Sequence, residues 1–200
     1  MKLILIRHGQ TVWNQEKRLQ GWLDSELTAK ALHDVQTMDL PTLSNPKIYS
    51  SDLGRAIKTA GIIAKRLNMD FKADPRLRER GFGLLEGEKI NTNISLENQN
   101  LCCAWLAYHH RYETPMGNQF CVESEGVFEG RIIQFLRSVY RLSYDGDVVV
   151  VSHGEWIRAC QNVLLGIPSW EKGQGITDNR NIVILSMDNM NVLRSSFHVE

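Results

Sequence analysis

Short apolar runs alternate with amphipathic stretches along the chain. Leu3–Ile6 is one such run, and Asp147–Ser152 contains four consecutive valines. Apolar runs without polar alternation are typical of parallel strands that are covered on both faces, so these two predict central strands. Lys47–Ser50 predicts a third strand, and Asn181–Leu185 with Val192–Phe197 predicts a late strand pair.

Three stretches place apolar residues at the three- and four-residue spacing of a helix. The first follows a predicted N-cap at Ser51 or Asp52, and the third stops at Gly166. Strands that alternate with helices predict an α/β fold, a three-layer sandwich with a mostly parallel sheet and helices on both faces. The apolar positions are Leu53, Ala56, Ile57, Ala60, Ala64 and Leu67 in the first helix, Phe128, Ile132, Phe135, Leu136 and Val139 in the second, and Trp156, Cys160, Val163 and Leu164 in the third.

The length of 200 residues is close to that of one domain, so we expect a single domain over residues 1–200. Between Lys89 and Val122 the pattern weakens into an Asn-rich stretch, a short helical piece and a loop with Pro and Gly. Long irregular segments inside compact domains are usually functional. Residues 89–122 are therefore predicted to cover the site and to set its specificity.

The charge balance excludes some classes of partner. The chain has 23 basic and 23 acidic residues, and this balance provides no long-range attraction for nucleic acid or for anionic membranes. We interpret Arg76, Arg78 and Arg80 as a solvated charged face rather than as a substrate clamp. We expect no nucleic-acid partner and no membrane partner, and the sequence does not indicate an oligomeric state.

The start of the chain and the four cysteines both bear on the cellular location of the protein. Only four apolar residues precede Arg7, too few for a signal-peptide core or a membrane span. The four cysteines form no CxxC pair and no zinc-ligand spacing. We therefore expect a cytoplasmic protein with reduced cysteines.

Two histidines follow the two predicted central strands. His8 comes after the first strand, next to Arg7, and His153 follows the valine strand. Ligands of open α/β sheets bind at the carboxyl ends of the strands, so these side chains are expected to meet. Arg55 lies in the first turn of a helix, where backbone N–H groups favour an anion. Such a group of side chains suits a phosphoryl group, and a neutral imidazole can attack phosphorus without a metal or other cofactor.

The reaction also needs a carboxyl group that protonates the leaving oxygen. Glu79 and Glu86 both lie in or shortly after the loop that begins at Arg76. Their spacing alone does not decide between them.

Four motifs follow one another in order: Arg7–Asn14 with Gln20–Asp24, Ser51–Ala60, Leu77–Gly87 and Val151–Gly154. Together they resemble the histidine phosphatase superfamily, in the branch that contains cofactor-dependent phosphoglycerate mutases and small phosphomonoesterases. The resemblance covers nearly the whole chain, and the combination of four ordered motifs is highly specific.

This resemblance implies five catalytic residues. His8 would be the phosphorylated nucleophile, Arg7, Arg55 and His153 would surround the phosphoryl group, and Glu79 would serve as the acid and later as the base. Preorganised donors around the phosphoryl oxygens are the main requirement of such a site. The residues implied to line the phosphate and substrate side are Thr11, Asn14, Gln20, Gly21 and Gly154.

These roles predict a metal-independent phosphomonoester hydrolase, a histidine acid-type phosphatase that acts on a small phosphorylated metabolite through a phosphohistidine. One alternative is a cofactor-dependent phosphoglycerate mutase. Another is a catalytically silent phosphate-binding or regulatory module. His109 and His110 stand where the mutases have two arginines, which weakens the mutase interpretation, and we expect this pair on a solvated surface.

Two other positions bear on the resemblance. Glu123 is aligned with a later family motif because its distance to Arg131 along the chain is the expected one. Glu155, directly after Gly154, is unusual for the family and is expected to disfavour substrates with a second anionic group.

Overall fold

A computed structural model of the protein describes residues 1–90, 121–141, 146–176, 178–179 and 182–186. The described strands form one five-stranded sheet in the order β3-β2-β4-β1-β5. β1 to β4 run parallel, and β5 pairs antiparallel with β1. The strands are β1 (Lys2–Arg7), β2 (Lys47–Ser50), β3 (Phe71–Ala73), β4 (Val148–Ser152) and β5 (Ile182–Ser186).

The three strands predicted from apolar runs are confirmed as β1, β2 and β4, within one residue at each end. The prediction for Asn181–Leu185 is confirmed as β5, shifted by one residue. Its predicted partner, Val192–Phe197, lies outside the described residues. β3 was not predicted, because its three residues are too few for a periodic signal.

The helices lie between the strands along the chain. The three predicted helices are confirmed as α3, α4 and α5, and α5 ends at Gly166, whose φ of +71° suits the predicted glycine stop. Two 3₁₀ turns, Pro75–Leu77 and Gly83–Leu85, follow β3. The α-helices are α1 (Val12–Gln15), α2 (Ala29–Thr37), α3 (Gly54–Leu67), α4 (Glu125–Arg141) and α5 (Gly154–Leu165).

Alternate residues of the central strands face two helical layers, which confirms the three-layer sandwich. On one face, the sheet packs against the predicted apolar stripes of α4 and α5. On the other face, it packs against α2 and α3. The strand residues on the first face are Leu3, Leu5, Val148 and Val150, and those on the second face are Ile4, Ile6, Val149 and Val151.

Most of the predicted cover over residues 89–122 lies outside the described residues, and so do His109 and His110. In the described part of the chain, no helix combines the length and the apolar character needed to cross a bilayer.

Candidate active site

His8 and His153 lie side by side at the carboxyl edge of the sheet. The register of β1 and β4 places Arg7 opposite Ser152, so both chains leave the sheet at the same level. The centroids of the two imidazole rings are 5.1 Å apart, and both residues are buried. The predicted meeting of the two histidines is therefore confirmed.

The surroundings of His8 define a neutral ring. Its Nδ1 lies 2.8 Å from the carbonyl oxygen of Gly9, and Arg55 Nε donates to its Nε2 over 3.3 Å. A carbonyl can only accept, so the proton is on Nδ1 and the lone pair is on Nε2. Burial, together with the guanidinium groups of Arg55 and Arg7, holds the pKa of His8 well below its usual value. The ring can therefore act as a nucleophile through Nε2.

His153 is also held as a neutral ring. Its Nε2 is 2.8 Å from the hydroxyl oxygen of Ser51, at the end of β2. Burial is the main reason that the pKa of His153 lies well below its usual value, and the Arg55 charge adds to this effect. Its Nδ1 is buried and has no hydrogen-bond partner among the described residues.

Arg55 is buried in the first turn of α3 and is fixed from the loop before α2. Its Nη1 donates to the carbonyl oxygen of Leu23 at 2.7 Å and to Asp24 Oδ1 at 3.0 Å, and its Nη2 donates to the carbonyl oxygen of Gly21 at 2.7 Å. The Asp24 carboxylate also accepts the backbone N–H groups of Gly54 and Arg55. Asp24 therefore caps α3 and orients its arginine.

The predicted N-cap of this helix at Ser51 or Asp52 is wrong. The N-cap residue is Leu53, whose apolar side chain cannot accept a hydrogen bond, and the Asp24 carboxylate accepts the N–H of Gly54 instead. Both predicted residues have other partners: the Ser51 hydroxyl contacts His153, and Asp52 pairs with Arg78.

Glu79 reaches the site from the loop after β3. Its Oε1 accepts the backbone N–H groups of Arg80 at 3.0 Å and Trp156 at 3.2 Å, and its Oε2 accepts that of Glu155 at 3.3 Å. Burial and the neighbouring Glu155 carboxylate raise the pKa of Glu79, while Arg55 acts in the opposite direction. A carboxyl group that keeps its proton to higher pH is suited to act as a general acid.

Glu86, the other candidate acid, holds a loop instead. Its carboxylate accepts the backbone N–H groups of Trp22 at 3.0 Å, Leu23 at 3.2 Å and Phe82 at 2.9 Å. It does not line the cavity that Glu79 lines. The structure thus places Glu79 at the cavity and Glu86 outside its lining, a distinction that sequence spacing could not make.

A cavity of about 430 Å³ opens over these groups. Four of the five predicted catalytic residues line it, and the fifth, His153, is buried next to His8. Four of the five predicted phosphate and substrate residues line it as well. The lining residues predicted from sequence are Arg7, His8, Arg55 and Glu79, with Asn14, Gln20, Gly21 and Gly154.

Thr11 is the predicted substrate residue that does not reach the cavity. It is fully buried, its Oγ1 donates to Asn14 Oδ1 at 3.1 Å, and it accepts from Gln20 Nε2 at 2.8 Å. The hydroxyl therefore bonds to the side-chain amides of two residues that line the cavity. The direct contact of Thr11 with the substrate stays a prediction.

Gly154 allows the start of α5 to approach the phosphate side of the cavity. A Cβ at this position would lie 3.3 Å from Arg7 Cζ and 2.7 Å from Ile176 Cγ2. Both contacts are too short for a side chain to be added without movement of its neighbours.

Sequence reasoning did not assign a site role to Arg131, which fixes the loop that carries Glu79. Its guanidinium donates to the carbonyl oxygens of Arg76 at 3.0 Å and of Glu79 at 2.8 Å, and also to that of Arg78. Its Nε lies 2.7 Å from Glu123 Oε1, so the expected Glu123–Arg131 pair is confirmed. The signal available in the sequence was this pair, and its effect on Glu79 required the fold.

The interpretation of the arginine cluster as a solvated face is wrong for Arg80, while the side chains of Arg76 and Arg78 are each 33% exposed. The side chain of Arg80 is only 2% exposed, and its guanidinium donates to the carbonyl oxygen of Glu123. Each arginine has an acidic partner: Arg76 pairs with Asp74, Arg78 with Asp52, and Arg80 with Glu125.

The sheet order, the two helical layers and the histidines at the carboxyl edge define an α/β protein of the phosphoglycerate mutase-like class. The family model for the histidine phosphatase superfamily (branch 1) matches residues 3–195. The chain belongs to this superfamily.

Named relatives fall on both sides of the phosphatase and mutase division. The probable phosphoglycerate mutase GpmB of Escherichia fergusonii is 36% identical over 174 residues, which cover 85% of this chain and 77% of that protein. The structure of a mycobacterial glucosyl-3-phosphoglycerate phosphatase is similar with a TM-score of 0.74 and 27% identity, over 92% of each chain. The α-ribazole phosphatase of Shigella flexneri shares the fold, with a TM-score of 0.75 and 21% identity over 94% of this chain and 91% of that one.

Proposed function

We propose that the protein is a metal-independent phosphomonoester hydrolase that acts on a small phosphorylated metabolite through a phosphohistidine at His8. The observation that carries the proposal is the unprotonated Nε2 of His8, which faces Arg55 in the same cavity that Glu79 lines. A nucleophile, a cationic anion site and a protonated acid are the three parts that this reaction needs.

The first step transfers the phosphoryl group to the protein. The lone pair of His8 Nε2 attacks phosphorus while the bond from phosphorus to the ester oxygen breaks. Glu79 gives its proton to the departing oxygen, which leaves as an alcohol, and the acid becomes a carboxylate. The Nδ1–H group of His8 remains bonded to the carbonyl oxygen of Gly9, so the positive charge that forms on the ring is stabilised.

The second step returns the enzyme to its starting state. The Glu79 carboxylate takes a proton from a water molecule as the water oxygen attacks phosphorus. The bond between phosphorus and Nε2 breaks, inorganic phosphate leaves, and Glu79 is again protonated. One carboxyl group thus acts as acid and then as base.

The remaining residues hold the phosphoryl oxygens. Arg7 and Arg55 offer guanidinium groups, which match the planar geometry of phosphate oxygens. His153 offers Nδ1, for which the described residues provide no partner. With Nδ1 as donor, its Nε2 accepts from the Ser51 hydroxyl, in agreement with their separation of 2.8 Å.

Replacement of His8 by alanine tests this proposal. We expect the His8→Ala variant to lose at least about 10³-fold in p-nitrophenyl phosphate hydrolysis, since the nucleophile is absent. We also expect no acid-labile phosphoprotein after incubation with substrate. His33→Ala is the matched control, because His33 is exposed on α2. Retained hydrolysis in the His8 variant would refute the phosphohistidine, and loss of activity with EDTA would refute the metal-independent mechanism.

A phosphoglycerate mutase is the second candidate, and the relative of 36% identity that is named a probable mutase favours it. A mutase would return the phosphoryl group to the bound substrate instead of giving it to water. The two candidates are separated by 3-phosphoglycerate with 2,3-bisphosphoglycerate. Isomerisation faster than hydrolysis would replace the hydrolase proposal with the mutase. No turnover of any phosphomonoester would favour a phosphate-binding module.

A further inference from the structure

A second carboxylate lies next to Glu79 at the start of α5. Glu155 also lines the cavity, and its backbone N–H donates to Glu79 Oε2 at 3.3 Å. Its side chain is only 5% exposed. The sequence led us to expect a carboxylate near the mouth that disfavours a second anionic group on the substrate. In the structure Glu155 lines the cavity, as this expectation requires, and its backbone N–H contacts a second glutamate, Glu79.

Arg158 fixes the side chain of Glu155 within α5. Its Nε donates to Glu155 Oε2 at 2.9 Å. The same guanidinium donates to the carbonyl oxygen of Ser169 at 2.8 Å and to that of Glu171, in the segment after the helix. Buried charges persist only with a partner and with their hydrogen bonds satisfied. The ion pair with Arg158 therefore fixes the Glu155 carboxylate at the cavity wall.

We propose that Glu155 is a positioning residue for Glu79: its backbone N–H orients the carboxyl group, and its side-chain charge keeps the acid proton in place until the leaving group departs. The proposal rests on the proposed function for its catalytic meaning. The contact between the two residues is observed independently of that function.

The charges that face Glu79 come from several elements. Arg55 on α3 and Arg7 at the end of β1 favour its ionised form, whereas Glu155 on α5 disfavours it. Arg131 on α4 contacts the backbone oxygen of Glu79. With burial, the Glu155 charge raises the pKa of Glu79 despite the two arginines.

Two neighbouring carboxyl groups resist simultaneous ionisation, and the one with the better counter-ion ionises first. Arg158 compensates the charge of Glu155 directly. The hydrogen bonds to the Glu79 carboxyl that the structure describes come from backbone N–H groups. This difference between the partners of the two carboxyl groups assigns the proton to Glu79, which is the residue that donates it in the proposed reaction.

Glu155→Gln tests the role with little change in shape. In this variant we expect the Glu79 carboxyl to titrate about one pH unit lower than in the wild type, because a like charge has been removed. The readout is the ¹³C signal of the Glu79 side-chain carboxyl, assigned by its loss in Glu79→Gln. Glu129→Gln on α4 is the charge-matched control, since Glu129 does not line the cavity.

The pH dependence of kcat/KM for an alkyl phosphate gives the second readout. Only protonated Glu79 donates, so the rate falls as pH rises through its titration. In Glu155→Gln, this fall should begin about one pH unit lower, with the substrate's own ionisation unchanged. A purely structural role of Glu155 would lower kcat/KM at every pH without changing the pH at which kcat/KM begins to fall.

The paired variant Glu155→Gln/Arg158→Gln covers the case in which a buried unpaired arginine prevents folding. It removes both charges, and because Arg158 is not among the charges that act most on Glu79, the midpoint should still fall. An unchanged Glu79 titration in either folded variant would overturn the proposal. If the wild type hydrolyses no phosphomonoester, the proposed function fails, while the carboxyl titration still decides the role of Glu155.

Discussion

The two helices that begin at the site, α3 and α5, are both capped by a carboxylate, but the surroundings of the two carboxylates differ. Neither N-cap residue makes a side-chain cap, so both helix starts leave backbone N–H groups to be satisfied. Asp24 accepts them at α3, and Glu79 accepts them at α5. In both cases the carboxylate comes from a distant part of the chain.

The surroundings of the two carboxylates differ. The side chain of Asp24 is 43% exposed and pairs with Arg55 Nη1 at 3.0 Å, so it anchors the arginine. Glu79 lines the cavity beside Glu155, where burial and the Glu155 carboxylate raise its pKa. The comparison indicates that the environment of a capping carboxylate decides whether it suits an anchor or, as proposed for Glu79, a proton donor.

The largest effect should follow a change at the α5 side. Glu79→Gln removes the acid, and we expect a loss of about 10² to 10⁴ in the hydrolysis of an alkyl phosphate. The loss should be smaller for p-nitrophenyl phosphate, whose leaving group needs less protonation. Glu86→Gln is the control, and it should show no dependence on the leaving group. Equal losses for both substrates in the Glu79 variant would reassign the acid.

An intermediate effect is expected from pH, because a buried imidazole lies beside each helix start. His8 contacts Arg55 in the first turn of α3, and His153 is the N-cap residue of α5. The pKa values of His8 and His153 lie below that of an unfolded histidine, so below about pH 6.5 the unfolded state binds more protons than the native state. Their contribution to stability is therefore present above that pH and is lost as pH falls. Each ring should contribute a slope approaching about 1.4 kcal/mol per pH unit.

Urea unfolding between pH 7.5 and pH 5 measures this slope. His8→Gln should flatten it by the share of one ring, and His33→Gln on the exposed side of α2 should not. An identical slope in wild type and His8→Gln would mean that the first imidazole is not held neutral.

The smallest effect should follow a change at the α3 side. Asp24→Asn keeps a capping oxygen but removes the charge beside Arg55, and we expect KM to rise roughly tenfold with about 1 kcal/mol lost from stability. The turnover number should change little, since Asp24 donates no proton to the substrate. Asp39→Asn is the exposed control. If kcat fell as far as in Glu79→Gln, the distinction between anchor and donor would be wrong.

The sequence predicted the layers of the fold because each strand and helix carries its own local signal. The valine run of β4 is buried at every position, and the stripe that includes Phe128 and Ile132 is fully buried on α4. The position of the histidines followed from these strands. The resemblance to a known family then assigned Glu79 as the acid.

The features that sequence reasoning missed depend on contacts between distant segments. The cap of α3 comes from Asp24, whereas the Ser51 hydroxyl contacts His153 and accepts the N–H of Leu53, which precedes the first turn, at 3.3 Å. Arg80 looked like a surface charge in an alternating cluster, but it is buried against α4. A local pattern reports the propensity of a segment and cannot report which partner reaches it from another layer.

The pairing of β1 with β4 limits the insertions that β4 can accept. Arg7 stands opposite Ser152, and neighbouring valines of β4 belong to opposite layers. One residue inserted within the valine run would exchange the two faces of the strand after the insertion. It would also carry His153 away from His8. The length of this one strand is therefore fixed by the geometry of the site as well as by packing.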